Sequence, residues 1–219
     1  MTARKKPTDD ALRVAVLEAA LGYAAADGFT DRALTRAGTD TGVGCEMMLH
    51  LFPDGSASLV QFFSEQSDAE MERLLAKEKL AEIKIRDRIA AAVLTRLEIL
   101  EPHKEAARRA AAFLMLPTNA PLGMKLLYQT VDAMWRAVGD TSTDFNFYTK
   151  RAILAGVYSA TLMRWFNDMG EDGAATREFL SARIENVMHF EKFKAEMREQ
   201  TKSLPSFADI LKGFSAPRS

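Results

Sequence analysis

The chain has 219 residues, 47% apolar and 27% charged, with a formal net charge of −1 at neutral pH. That composition suits a helical domain, or a small N-terminal unit fused to a larger bundle, and the charge gives no general attraction to a phosphate backbone. A single cysteine, Cys45, excludes an internal disulfide and a CxxC metal or redox site, and reads as a small buried hydrophobe. No run of eighteen apolar residues is present, and the basic-then-acidic start lacks the apolar core of a signal peptide. The sequence reads as a cytoplasmic chain of bacterial origin.

Helix follows helix. Asp9 or Asp10 is placed to cap the first, with Leu12, Val16, Ala19, Ala20 and Tyr23 on one face and Gly28 just past its end. A short helix over 31–37 stops at Gly38, and another covers 45–51 before Pro53. Asp54-Gly-Ser56 opens a long helix with Leu59, Phe62, Phe63, Met71 and Leu74 inward. Ile85, Ile89, Ala92, Val93, Leu97 and Leu100 mark the next, stopped by Pro102. Residues 103–116 form a helix that begins basic and ends apolar. A further one starts at Pro121, the first-turn position where proline is tolerated, and buries Leu122, Leu126, Leu127, Val131, Met134 and Val138. The last runs from about 173 to 200. No stretch of period two competes, so the fold class is all-α. The chain divides into 1–55, 56–200 and a short C-terminal segment, 201–219.

Between Leu17 and Phe63 the order of helices, with Asp27-Gly-Phe-Thr, Ala37-Gly38 and Leu51-Phe52-Pro53 between them, resembles the helix-turn-helix half of a TetR-type repressor. Duplex binding needs Lys or Arg against phosphates and polar reach to base edges. From Ala37 to Glu72 there is neither Lys nor Arg, and the would-be recognition helix offers Cys45, Glu46, Met47, Met48 and Leu49. The helix-turn-helix is therefore degenerate, and no nucleic acid is expected as a partner.

Catalytic motifs are equally scarce. His50, His103 and His189 each lack an acidic residue three positions earlier, so the Glu-x-x-His repeat of di-iron bundles is absent. HExxH, GxSxG and a glycine-rich phosphate loop are missing, and Glu185 with His189 reads as a surface pair. No catalytic residue, metal ligand or cofactor is assigned.

What remains is a helical body rich in Met, Phe and Leu with small residues between them, the composition of a deformable apolar cavity or of an ordinary bundle core. The residues expected to line such a cavity are Phe113, Met115, Leu116, Leu126, Leu127, Val131, Met134, Val157, Leu162 and Phe166. A second concentration lies at 134–166, where the polar turn 140–144 precedes Phe145-Asn-Phe-Tyr148 and a long helix. A cap alone needs one Ser, Thr or Asp. Two Phe, a Tyr, a Lys and an Arg beside it fit either core filling, with a Phe stapled onto the helix, or a recognition surface.

The segments Leu116-Pro-Thr-Asn-Ala-Pro121, Met134-Trp135, Gly139-Asp140 and above all STDFNFYTKR at 142–151 resemble one family over roughly residues 11–200. It is the ubiquinone-biosynthesis accessory family, the ninth of the coenzyme Q set, found in mitochondria and alphaproteobacteria. The resemblance implies a TetR-like homodimer that does not bind DNA. It implies a pocket for an isoprenoid lipid or quinone, or a phospholipid, and docking to the di-iron demethoxyubiquinone hydroxylase. The docking patch it implies is Met134, Trp135, Asp144, Phe145, Phe147, Tyr148 and Arg151. Phe147 stands where members can carry Trp, so an indole N–H is lost there.

In the C-terminal segment Leu204, Phe207, Leu211 and Phe214 fall at helical spacing with Ile210 beside them, flanked by Lys202, Lys212 and Arg218. So short a helix is marginal alone in water and needs a cover. Packing on the protein or a membrane interface would each supply one. The family includes a C-terminal amphipathic helix that touches lipid, which implies peripheral association with the inner membrane.

Overall fold

Thr8, not Asp9 or Asp10, caps the first helix: its Oγ1 accepts from the Ala11 N–H, and the two aspartates occupy the first turn, where the helix dipole favours them. The computed structural model describes residues 7–141, 145–170 and 172–202, with side chains to residue 189 except at 145 and 146. Helix α1 (Asp9–Asp27) ends at Gly28, whose φ of 78° suits glycine. Helix α2 (Asp31–Thr41) is capped by Thr30 and runs one turn beyond the expected stop at Gly38. The stop is Gly42, at φ 69°. Gly38 has a packing role instead, because a Cβ there would meet the Met48 side chain at 3.1 Å, so its absence lets α3 (Cys45–Leu51) seat against α2.

Cys45 is exposed, against the expectation of burial. It is the first residue of α3, and that short helix turns Leu51 inward instead. Helix α4 (Ser56–Leu75) is tied back to α2 by Asp31, whose Oδ1 accepts from the Ser56 hydroxyl at 2.9 Å. Its inward face is Leu59, Val60, Phe62, Phe63, Met71 and Leu75, with Leu74 only half-buried.

The body comprises α5 (Ile85–Leu100), α6 (Lys104–Met115), α7 (Ala120–Ala137), α8 (Phe145–Phe166) and α9 (Ala174–Lys202). Pro102 sits in a single 3-10 turn, Glu101–His103, that joins α5 to α6 without a loop. Helix α4 packs on α5 and α7, α7 on α8, α8 on α9, and α6 on α1. The result is a bundle whose buried apolar cluster is continuous from Val16 in α1 to Leu180 in α9. Strands are absent among the described residues, and no described helix is long and apolar enough to cross a membrane.

Candidate ligand cavity and docking face

Helices α4 to α8 do not close completely on one another. They enclose a cavity of about 520 Å³, within the usual range for small-molecule sites. Small side chains on α6, Ala107, Ala110 and Ala111, leave the space, and Val60, Phe63, Leu114, Leu126, Leu127, Leu162 and Phe166 wall it. Gly123 of α7 meets the Leu114 carbonyl so closely that a Cβ would lie 3.0 Å from it, which brings α6 and α7 together at one edge. Three methionines that also line the cavity are exposed, Met115 by 75%, Met124 by 68% and Met163 by 50%, and mark its mouth.

Of the ten residues expected around a cavity, Met115, Leu126, Leu127, Leu162 and Phe166 line this one. Val157 lines a second, smaller cavity of about 290 Å³ between α5, α7, α8 and α9. Val131 and Met134 are fully buried core, Phe113 packs half-buried against that core, and Leu116 is exposed beyond the end of α6. Of the five outside the main cavity, all but Leu116 sit on the same helices, turned by a fraction of a turn.

Part of the main cavity's wall is polar, which the sequence reading missed. Arg96 of α5 is 4% exposed and its Nε lies 2.7 Å from Asp68 Oδ1 of α4. Asp68 Oδ2 accepts from the Thr130 hydroxyl of α7 at 2.9 Å, and Arg96 Nη2 donates to the Ser64 hydroxyl at 3.2 Å. Arg96 Nη1 is buried with no acceptor. Burial pushes the Asp68 carboxyl up against the pull of Arg96, and it pushes the nearby Tyr158 phenol up as well. The signal was available: Arg96 stands on the inward stripe of Ile89, Val93 and Leu100, where a charge is out of place.

The entrance of α8 is organised around Arg151. This residue was expected on an exposed face with Tyr148, but it is 3% exposed. Its Nε lies 2.6 Å from Asp132 Oδ1 of α7, its Nη1 lies 3.3 Å from Asp140 Oδ2 and donates to the Phe147 carbonyl, and its guanidinium stacks 3.4 Å from the Phe147 ring. Lys150 adds a second cation on Asp140, and Trp135 donates its indole N–H to the Lys150 carbonyl. Arg151 is thus a clasp between α7 and α8. Met134 is likewise interior and cannot meet a partner. Trp135 and Phe147 are half-buried, and among the described side chains of this set Tyr148, 67% exposed, is the one presented to solvent. Asp144 and the Phe145 side chain lie outside the described residues, as do Leu204, Phe207, Ile210, Leu211 and Phe214.

Elsewhere, His189 and Glu185 form an exposed pair at 3.7 Å, as their spacing implied. No group of three His, Cys, Asp or Glu among the described residues is placed to hold a metal ion.

The architecture has a relative among solved structures, a TetR transcriptional regulator from Nitrosomonas europaea, which aligns with 80% of this chain and 96% of that one at a TM-score of 0.65. At 16% identity this likeness is one of fold alone. Residues 120–191, from α7 into α9, match the family described as COQ9. The COQ9 ubiquinone biosynthesis proteins of Bos taurus and Homo sapiens, both mitochondrial, are 35% identical over 189 residues, 83% of this chain. That of Drosophila melanogaster is 29% identical over 90% of the chain. The chain spans 59% of the length of the bovine and human proteins. With its TetR-like all-α fold and this extent of shared sequence, the chain belongs to the COQ9 family.

Proposed function

We propose that the protein is a non-catalytic, lipid-binding accessory protein of ubiquinone biosynthesis. In this reading it draws an isoprenoid quinone precursor from the membrane and presents it, as a homodimer, to the demethoxyubiquinone hydroxylase. The observation that carries the reading is the apolar cavity of about 520 Å³ among α4–α8, opening at Met115, Met124 and Met163. Each CH₂ buried from water is worth about 0.8 kcal/mol, so a polyprenyl tail leaves a bilayer only for a comparably apolar receptor. Flexible methionines at the mouth adapt to a chain entering at varying depth. Tyr148 offers an exposed aromatic of the kind that anchors interfaces.

Mass spectrometry of lipid co-purifying with the full chain tests this directly. The protein is expected to carry an isoprenoid or phospholipid, and Ala110→Phe, which fills the cavity from α6, is expected to lose it while still melting cooperatively. Protein that holds no lipid and takes none up from vesicles would sink the proposal. For membrane attachment, Phe207→Asp with Leu211→Asp is expected to abolish co-sedimentation with anionic liposomes. Unchanged co-sedimentation would place that apolar stripe against protein.

The shared fold raises a DNA-binding alternative, a regulator that senses a lipid. Against it stand the absence of Lys and Arg from Ala37 to Glu72 and an α3 that exposes Cys45, Glu46 and Leu49. A salt-dependent gel shift would revive it.

A further inference from the structure

The cavity is asymmetric in a way that bears on what sits in it. Its mouth is ringed by exposed methionines, and a buried part of its wall carries Arg96, Thr130 and Tyr158. Among these groups most hydrogen-bonding capacity is already spent. Thr130 donates to Asp68, Ser67 donates to the Phe63 carbonyl, and Arg96 Nη2 is turned to Ser64. Two donors are left over. Arg96 Nη1 is buried with no acceptor, and Tyr158 lines the cavity with its hydroxyl making no hydrogen bond to a described residue. A buried donor without a partner costs about 1–3 kcal/mol, more when it is charged, so it calls for a ligand, a water or some other compensation.

Resting on the lipid-carrier reading above, we propose that Arg96 and Tyr158 form a head-group subsite for a neutral oxygen of the bound amphiphile, a ring carbonyl or hydroxyl of a quinone or quinol. Charge decides between a neutral head and a phosphate. Arg96 already faces the Asp68 carboxyl at 2.7 Å, so the fold itself supplies the acidic partner of this guanidinium. A phosphate would add uncompensated negative charge to a buried site, whereas a carbonyl takes the spare donors and adds none.

The test is competitive displacement of a fluorescent apolar probe from delipidated full-length protein by three ligands: a ubiquinone with a short isoprenoid tail, the headless hydrocarbon farnesene, and farnesyl phosphate. Two variants accompany the wild type. Tyr158→Phe removes one hydroxyl and keeps the ring. Asp68→Leu with Arg96→Met removes both charges together, so that neither is left buried alone. The quinone is expected to bind wild type more tightly than either other ligand. It is expected to weaken by about three- to tenfold in Tyr158→Phe and by about ten- to a hundredfold in the double variant, with farnesene unchanged in both. Equal quinone affinity in all three proteins overturns the subsite and leaves the apolar carrier standing, with water as the partner of Arg96. Farnesyl phosphate binding above the quinone overturns the neutral-head assignment. Failure of all three ligands on wild type removes the cavity reading itself, and the subsite with it.

Discussion

Two arginines are buried among the described residues, and their surroundings differ. Arg151, at the start of α8, is held on several sides: its Nε and Nη1 meet two carboxylates and a carbonyl, and an aromatic face covers its guanidinium. Arg96, in the middle of α5, has one carboxylate and one serine and keeps a nitrogen without an acceptor at the wall of a cavity. A buried cation held in this way is explained by the helices it joins. One with fewer partners keeps a donor that calls for a ligand, a water or some other compensation. The comparison therefore separates scaffold from site within one bundle.

It breaks most visibly at Arg151. Arg151→Ala leaves Asp132 and Asp140 without the guanidinium they share, and removing one side of a buried pair costs about 3–5 kcal/mol. Lys150 still serves Asp140 and Arg136 lies 3.6 Å from Asp132, so the lower end of that range applies. A fall in melting temperature of about 6–12 °C is expected by calorimetry. A variant as stable as wild type would show that the clasp is dispensable and return Arg151 to the docking face.

The double replacement of Asp68 by Leu and Arg96 by Met is the counterpart. Substituting a buried ion pair by apolar residues of similar volume is often neutral or stabilising, so its melting temperature is expected within about 4 °C of wild type. A collapse comparable to that of Arg151→Ala would mean that Arg96 is scaffold too. The contrast between the two arginines would then disappear.

A third measurement concerns the Asp168 turn between α8 and α9. Asp168 Oδ2 accepts from the Thr176 N–H at 2.9 Å and its hydroxyl at 2.6 Å, and Oδ1 accepts from Gly170. The Thr176 hydroxyl, then the Gly170 amide, hold this carboxyl below its ordinary pKa. Since the folded pKa is the lower one, the stabilisation is complete above the unfolded value of about 3.9 and is lost as pH falls through the folded value. Asp168→Asn is expected to melt below wild type at pH 7, with the gap closing in acid. A gap independent of pH would assign the effect to geometry rather than charge.

How much of this was legible beforehand follows from what periodicity reports. Spacing reports which residues face inward, so α5 and the starts of α4 and α7 fall within a residue or so of where it puts them. It does not report how far a long side chain reaches once inside. Tyr148 and Arg151 are three apart and were assigned one surface, yet the arginine's flexible stem carries its charge back to Asp132 while the tyrosine stays out. Gly38 illustrates the same limit: glycine inside a helix and glycine at its end look alike until the Met48 packed against it is seen. The cavity was expected from Met and small-residue content, but which half of the ten residues would line it depended on helix rotation. The polar part of its wall rests on Asp68, Arg96 and Thr130, from three helices far apart in sequence, so no local motif announced it.

The smallest expected change in stability is at Tyr148, and it sharpens the comparison from the outside. Its ring is two-thirds exposed and makes one described aromatic contact, edge-on to Phe147 with centroids 5.1 Å apart. Losing such a pair costs about 0.5–1.5 kcal/mol at most, and exposure reduces it further. Tyr148→Ala is therefore expected to lower the melting temperature by less than about 3 °C. Phe147 remains stacked on Arg151, so the rigid base from which Tyr148 projects survives the substitution. If the entrance of α8 docks the hydroxylase, truncating its exposed aromatic is expected to weaken association by about tenfold or more, as interface anchors do. Association should be measured by surface plasmon resonance on protein shown to be folded. Loss of binding with stability kept would separate a docking tyrosine from the structural arginine one turn away. Unchanged binding would leave the α8 entrance as a clasp whose aromatics serve only the fold.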